Sequence, residues 1–360
     1  MKPSVLVTGG AGFIGSHVVD ALCERGHDVR VLDLLHPGAH NGPPADLRPD
    51  VDHRFADVRD RDAVADALGG VDAVCHQAAM VGLGVDFGDV EHYVAHNDAG
   101  TASLLAAMHA AHVPERLVLA GSMVAYGEGR YRCGEHGLVR PGPRPRERLD
   151  AGLWEPLCPE CGSELVPEAV PEEAPVDPRN VYAATKVHQE HLCAAFAREH
   201  DTELTVLRYH NVYGPRMPHD TPYAGVASIF RSAYEDGTAP RVFEDGGQMR
   251  DFVHVRDVAH ANVLALAGTH EDGAGSEAAV LDHAVFNIAS GTPRTVLDLA
   301  QALHRCFPGS PAPEVVGGYR PGDVRHVFAS IERAATYLGF RARIDLAEGM
   351  EEFASAPMRG

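Results

Sequence analysis

At 360 residues the chain is long enough to bury a large core and to form about two domains. Its 45% apolar and 23% charged residues are the balance of an ordinary globular protein. The formal net charge of −20, with basic residues spread singly, argues against nucleic acid or anionic membrane as a partner, because both demand a basic surface. An anionic substrate would have to be held by a few locally placed arginines. Arginine occurs 29 times but lysine only at Lys2 and Lys186, which singles out the one internal lysine. No run approaches the ~20 apolar residues of a membrane span. The chain starts directly on a short apolar run and a glycine turn, with no room for a signal peptide, so a cytoplasmic address is expected. Seven cysteines in such a chain read as thiols or metal ligands before disulfides.

In chain order, Val5-Leu6-Val7, Val29-Arg30-Val31-Leu32, Ala73-Val74-Cys75 and Leu117-Val118-Leu119 read as buried strands. Segments near 14–25, 60–69 and 99–112 read as the helices between them. This alternation predicts an α/β fold, a doubly wound parallel sheet. The pattern breaks over 128–177, rich in Pro, Gly and Arg and carrying three cysteines, which reads as an insertion. Helical patterning resumes from Val181 to about Glu199, and Leu204–Leu207 is the next strand. Beyond about 215, short strands and helices mix, as in a smaller α/β lobe.

The first strand runs into Thr8-Gly9-Gly10-Ala11-Gly12-Phe13-Ile14-Gly15 and an apolar helix. Glycines at 9, 12 and 15 permit a tight turn, close approach of a pyrophosphate and close helix–strand packing. The helix N-terminus adds free N–H groups and a positive dipole end for the anion. Gly9, Gly12, Phe13, Ile14 and Gly15 are therefore expected to hold a dinucleotide. Asp33 ends the next strand, where a carboxylate accepts from a ribose 2′-OH and repels a 2′-phosphate, favouring NAD over NADP. Residues 1–215 are expected to form an NAD-binding Rossmann domain with the insertion, and 216–360 mainly a substrate-binding lobe. Residues 251–268 are expected to return to the first domain.

Tyr182 and Lys186 lie i, i+4 on one helix face. A free tyrosine, with a pKa of about 10, is no base at neutral pH. A cation about 4 Å away contributes roughly 4 kcal/mol at an effective dielectric near 20, about three pKa units before desolvation. Lys186 together with a nicotinamide charge is thus expected to poise Tyr182 near 7. Ser122 sits just past the strand 117–119, at the sheet end where open α/β folds place ligands.

With these segments on view, the chain resembles the extended short-chain dehydrogenases/reductases that modify nucleotide sugars, the NAD-dependent epimerase/dehydratase family. The matching segments are the glycine turn, Asp57-Val58, His76-Gln77-Ala78-Ala79, Asn97 through Thr101, Ser122 through Gly127 and Tyr182 through Lys186. Arg208 through Pro215, Arg250 through Val253 and Arg320 through Asp323 follow in the family's order. The resemblance implies a Ser122, Tyr182, Lys186 catalytic triad, with Asp57 and Val58 near the adenine. It further implies that Gln77, Ala78, Ala79, Asn97 and Tyr209 line the cofactor. Ser122, Asn211, Arg250, Arg320 and Asp323 would hold a nucleoside-diphosphate sugar. His210 departs from the pattern, standing where an aromatic is usual.

Sugar-nucleotide dehydratases of similar sequence carry an acid and a base directly after the triad hydroxyl, but here Met123 and Val124 stand there and transfer no protons. An epimerase needs only the triad and tightly held NAD. Pro222-Tyr223-Ala224-Gly225-Val226, Val242 through Gly246 and Gly318 through His326 are similar to the dTDP-L-rhamnose 4-epimerases, which also carry an insertion after Tyr126-Gly127. Apolar Met80, Val81 and Met123 suit a 6-deoxy sugar. Other nucleotide sugars (UDP-hexose, UDP-uronate, a nucleotide heptose), a net NAD-dependent dehydrogenase or reductase, and a non-catalytic NAD-binding protein stay open. The Ala/Leu-rich segments 99–112 and 181–197 resemble the helices through which this family dimerises.

In the insertion, Cys133-Gly134-Glu135-His136 and Cys158-Pro159-Glu160-Cys161 form two knuckles. Cys133, His136, Cys158 and Cys161 are expected to be the four ligands of a structural tetrahedral zinc, with no position left open for chemistry. The alternative is a loop whose thiols merely lie near each other. Cys23, Cys193 and Cys306 fall in helical patterns and are expected in the core.

Overall fold

The computed structural model describes residues 3–82, 87–111, 114–219, 225–268 and 283–359. Seven strands form one sheet: β1 (Ser4–Thr8), β2 (Asp28–Asp33), β3 (Asp52–Phe55), β4 (Ala73–His76), β5 (Arg116–Ser122), β6 (Glu203–Tyr209) and β7 (Ala284–Ile288). Every pairing is parallel and the order is β7-β6-β5-β4-β1-β2-β3. The expected doubly wound sheet is present. Its strand order reverses between β1 and β4, so a crevice opens beyond their carboxyl ends, where such sheets bind ligands.

Strand alternation builds the two faces. Val5 and Val7 point to one side, against the helices Phe13–Glu24 and Val255–Ala267. Leu6, between them, points to the other, with Val74, Leu119 and Val206 under the helices Arg61–Ala67, Gly100–Ala111 and Val181–His200. A third core, centred on Phe230, Leu299 and Phe353, holds the helices Val226–Glu235, Val296–His304 and Leu346–Ser355 of a smaller lobe. Cys193 is buried, and Cys23 and Cys306 are half-buried against their cores.

Two strands escaped the sequence reading. Strand β3, Asp-His-Arg-Phe, is a half-exposed edge strand without an apolar run. Strand β7 lies past residues 251–268, which supply the helix Val255–Ala267 to one face, and it is the one strand that the described residues beyond 215 add to the main sheet. Residues 222–224 of the Pro222–Val226 segment and His112, at the end of the 99–112 segment, lie outside the described residues. The insertion folds a small antiparallel sheet, Gly137–Val139, Arg130–Cys133 and Val166–Glu168, over Tyr131, Cys133, Cys158 and Leu165.

One ion pair sits inside the main domain. Arg208, 1% exposed on β6, forks onto Glu190 of the helix Val181–His200 at 3.1 and 2.8 Å. Its other nitrogen donates to the Tyr126 hydroxyl (3.0 Å) and the Glu172 carbonyl (3.1 Å). Removing one member leaves a buried, unpaired charge. Arg208→Met is therefore expected to cost about 3–5 kcal/mol, read as a lower urea midpoint. A midpoint within error of wild type would refute this account.

Candidate active site

The crevice at the reversal of strand order is a cavity, and the expected cofactor residues gather there with one exception. Gly9, Gly12, Phe13, Ile14 and Gly15 line its floor, and Asp33, Asp57 and Val58 one end. Gln77, Ala78, Ala79 and Tyr209 form a wall beside Tyr182 and Lys186. A Cβ on Gly15 would come 2.0 Å from the Gly9 carbonyl oxygen, so no other residue lets the helix start so near the strand. Asp33, buried, accepts from the N–H groups of Ala11 (3.0 Å) and Leu35 (2.8 Å) and fixes the turn's shape. Each oxygen keeps acceptor capacity for a ribose hydroxyl. Arg59, hydrogen-bonded to Asp57, holds that carboxyl below its ordinary pKa.

The exception is Asn97. It sits in a π-helical turn, Val94–Ala99, and is fully buried behind the cavity wall. Its side chain accepts from the Met80 N–H (2.7 Å) and donates to the Met80 carbonyl (3.0 Å) and the Thr185 hydroxyl (2.9 Å). Asn97 thus ties the cavity wall to the helix of Tyr182 and does not line the cavity. The π turn inserts one residue and rotates this side chain inward.

Ser122 ends β5, and its Oγ accepts from the Val124 N–H at 3.4 Å. Tyr182 follows the N-cap Asn180, whose side chain accepts from the Ala183 N–H. Burial pushes the Tyr182 phenol up to about 12, and a hydrogen bond to Ser122 opposes that rise. The pKa near 7 expected from Lys186 is not that of the cofactor-free chain, because burial outweighs the opposing contact and Lys186 is engaged elsewhere. Its ammonium, 3% exposed, donates to Gln189 Oε1 at 2.8 Å. Burial lowers Lys186 to about 8, with Glu190 raising it in part. Behind it runs a buried chain: Gln189 donates to Thr101 (2.6 Å), which meets His76 (3.0 Å), which meets Thr8 (2.7 Å). Burial lowers His76 to about 3, so it is neutral and transmits no charge.

A second cavity, in the smaller lobe, is lined by Arg250, Arg320 and Asp323 with Phe243, Glu244 and Gln248. Arg320 is exposed and stacks on Phe243 at 5.3 Å. Arg250 differs from expectation. Its guanidinium donates to the carbonyls of Met249 (2.9 Å), Val324 (2.7 Å) and Arg325 (2.8 Å), so much of its donor capacity holds backbone. Asn211 is not among the residues lining this cavity. Its buried Oδ1 has no hydrogen-bond partner among the described residues. His210 is buried and pushed down to about 4 by burial, so it is neutral, and it lines neither cavity.

The sequence reading missed Arg216 and Arg359 at the first cavity. Residues 216–219 pair with the tail, Arg359 N–H donating to the Met217 carbonyl (3.1 Å) and Arg359 Nη2 to Asp46 (2.7 Å). Arg216 has φ +65°, unusual for an arginine, but no local pattern marks Arg359.

In the insertion, one ligand atom each from Cys133, His136, Cys158 and Cys161 lies within 4.8 Å of all the others. Cys133 Sγ is 3.6 Å from Cys161 Sγ and 3.5 Å from His136 Nδ1, and Cys158 Sγ is 3.6 Å from that nitrogen. Tetrahedral zinc with bonds of about 2.3 Å to sulfur and 2.0 Å to nitrogen requires edges of roughly 3.5–3.8 Å. Three of the six edges match those distances and all lie within 4.8 Å, so the donor set is of the right kind and number for the ion. His136 Nε2 faces Glu160 at 3.8 Å, a carboxylate suited to fixing the ring's tautomer.

The sequence pattern of the NAD dependent epimerase/dehydratase family matches residues 5–146 and 160–289. A dTDP-L-rhamnose 4-epimerase of Burkholderia thailandensis is 34% identical over 355 residues, 97% of this chain and 93% of the relative. A dTDP-glucose 4,6-dehydratase of Streptomyces niveus is 31% identical over 360 residues, 97% of this chain and 90% of the relative. The crystal structure of the Thermus thermophilus UDP-glucose 4-epimerase in complex with NAD superposes with a TM-score of 0.75 at 29% identity. It covers 98% of this chain and 97% of that one.

The lowered Lys186 gives a signed expectation for the cofactor-free protein. Its pKa falls from 10.5 unfolded to about 8 folded, so the unfolded state binds more protons between those values. The group therefore destabilises the fold fully below about pH 8, and the penalty fades as pH rises toward 10.5. Lys186→Met should stabilise the fold at pH 7 by about 1–3 kcal/mol, read as a higher urea midpoint, with the gain vanishing near pH 10.5. A destabilised mutant at pH 7 would contradict this account.

Proposed function

This chain belongs to the NAD dependent epimerase/dehydratase family, and from that premise we propose that it is an NAD-dependent 4-epimerase of a nucleoside-diphosphate sugar, dTDP-L-rhamnose. The observation that carries the reading is Tyr182 and Lys186 lining the crevice, with Ser122 at the end of β5 in hydrogen-bond contact with Tyr182, next to a Met123–Val124 pair unable to transfer protons. By the family resemblance a dehydratase carries an acid and a base at those two positions, so the pair argues against dehydration. The similarity to a dTDP-L-rhamnose 4-epimerase supports both substrate and carbon.

NAD, when bound, supplies a hydride acceptor at the substrate carbon that gives the hydride back. Tyr182 Oη takes the proton of the C4 hydroxyl and later returns one to the same oxygen. Ser122 Oγ holds the same oxygen. Lys186 Nζ, already near its titration point, favours the phenolate without leaving the site. A keto sugar formed at C4 turns within the pocket and is reduced on its other face. Met80 and Val81, on the cavity wall, suit the methyl group of a 6-deoxy sugar. Asn211, Arg320 and Asp323 hold the nucleoside diphosphate. Arg250 supports them mainly through the backbone of 324–325.

In the same reading the protein is a cytoplasmic homodimer, paired through the helices Gly100–Ala111 and Val181–His200. The small exposed residues Ala102, Ala184 and Ala195 on those helices support a close helix packing. No helix among the described residues is long and apolar enough to cross a membrane. A structural zinc bound by Cys133, His136, Cys158 and Cys161 completes the proposal.

In deuterated water, dTDP-L-rhamnose should reach an equilibrium of two C4 epimers that keep their original C4 hydrogen, with no NADH released. Deuterium at C4, or stoichiometric NADH, would overturn the epimerase mechanism. Turnover of another nucleotide sugar in its place would overturn the substrate. Tyr182→Phe should abolish turnover while NAD stays bound, and near wild-type rates would sink the assignment. For the metal, elemental analysis of protein purified without chelator should find one zinc per chain. A metal-free protein, or a disulfide among these cysteines, would refute the site.

A further inference from the structure

The insertion does more than cap the fold, because its polar side chains reach the turn that carries Asp323 to the second cavity. Arg144, nearly buried, forks onto Glu244 at 3.0 and 2.7 Å and donates to the Asp323 carbonyl at 2.8 Å. Glu128 Oε1 accepts from the Arg325 N–H, and the Tyr131 hydroxyl accepts from the His326 N–H. Glu155 binds both side chains, Arg325 at 2.9 and 2.7 Å and His326 at 2.9 Å. Arg325 is 2% exposed, so these bonds face little competition from water.

The four cysteine and histidine donors sit on the same short segments. Tyr131 and Cys133 share one face of the strand Arg130–Cys133, both buried in the insertion's own small core. Glu155 precedes Cys158 by three residues. That core has few apolar residues, too few to hold the segments by burial alone. We infer that the metal-held insertion is the positioning element of the nucleotide-sugar cavity. The ion fixes Tyr131 and Glu155, and with Arg144 and Glu128 these fix residues 323–326 and so Asp323 and Arg320. The inference rests on the zinc reading for its metal part and on the bonds above for the rest. Tyr131, Arg144 and Glu155 are positioning residues: they act on substrate affinity through the turn and leave the chemistry to the first cavity.

Hydrogen exchange of the NAD-loaded protein, before and after stripping the metal with a chelator, tests this directly. Protection of the Arg325 and His326 amides should fall about fivefold to tenfold, while β1 and β4 and the bound NAD stay unchanged. KM for the nucleotide sugar should rise by a similar factor with kcat kept. Unchanged exchange in 323–326 after the metal has left would overturn the metal's role. If the protein holds no metal, the zinc reading fails alone, and Glu155→Gln and Arg144→Met still test the latch. Each should loosen the same amides and raise KM with NAD stoichiometry intact. Wild-type exchange and KM in both would overturn the latch. Glu155, partly exposed, is the milder substitution should Arg144→Met fail to fold.

Discussion

A guanidinium sealed from water is costly unless every donor finds a partner, and the arrangement that satisfies Arg208 also assembles the first cavity. Its fork takes both oxygens of Glu190, two helical turns beyond Tyr182, and its remaining nitrogen takes the Tyr126 hydroxyl in the turn that follows Ser122. Strand β6, the helix of Tyr182 and Lys186, and the Ser122 turn are thereby referred to one planar group. Gly121 makes room: a Cβ there would meet Val206 at 2.9 Å and Arg208 and Glu190 at 3.2 Å. The same Glu190 partly offsets the burial of Lys186. Charge that stabilises the frame thus also sets the poise of the reacting groups.

Tyr182 and Lys186 show how the site divides its labour. Burial holds both toward their neutral forms, the phenol up to about 12 and the ammonium down to about 8. Neither is a finished acid or base in the empty crevice. The Gln189, Thr101, His76 and Thr8 chain behind them carries no formal charge, so it orients the ammonium without competing for it. In a chain of net charge −20 the ligand's negative charge must be met locally. Arg216, Arg320 and Arg359 are cations that stand at the two cavities, Arg216 and Arg359 also paired with Asp46.

What could be read from the sequence was whatever chemistry depends on short spacing. The glycine turn, Asp33, the i, i+4 Tyr182–Lys186 pair and the two Cys/His knuckles each lie within a few residues; the first three line one cavity and the knuckles come together in the insertion. What could not be read depends on distance along the chain. Arg359 reaches the glycine turn from the far end of the sequence, and Arg250 spends its donors on a loop 75 residues away. Asn97 looked like a cavity residue because nothing in Val94–Ala99 announces a π turn, and that single extra residue faces it inward. Strand β3 lacked the apolar run by which strands are recognised.

The late position of β7 has a consequence for synthesis on the ribosome. By the time Tyr209 has emerged, six of the seven strands exist, but the outer edge of β6, an apolar strand already paired with β5, has no partner. Its partner, Ala284–Ile288, arrives only after the helix Val255–Ala267 has been made. For that interval the nascent chain offers a strand edge to any neighbour, a point where chaperones would act and where swapped dimers would arise. The smaller lobe is therefore threaded through the completion of the larger one, and neither can be made first and set aside.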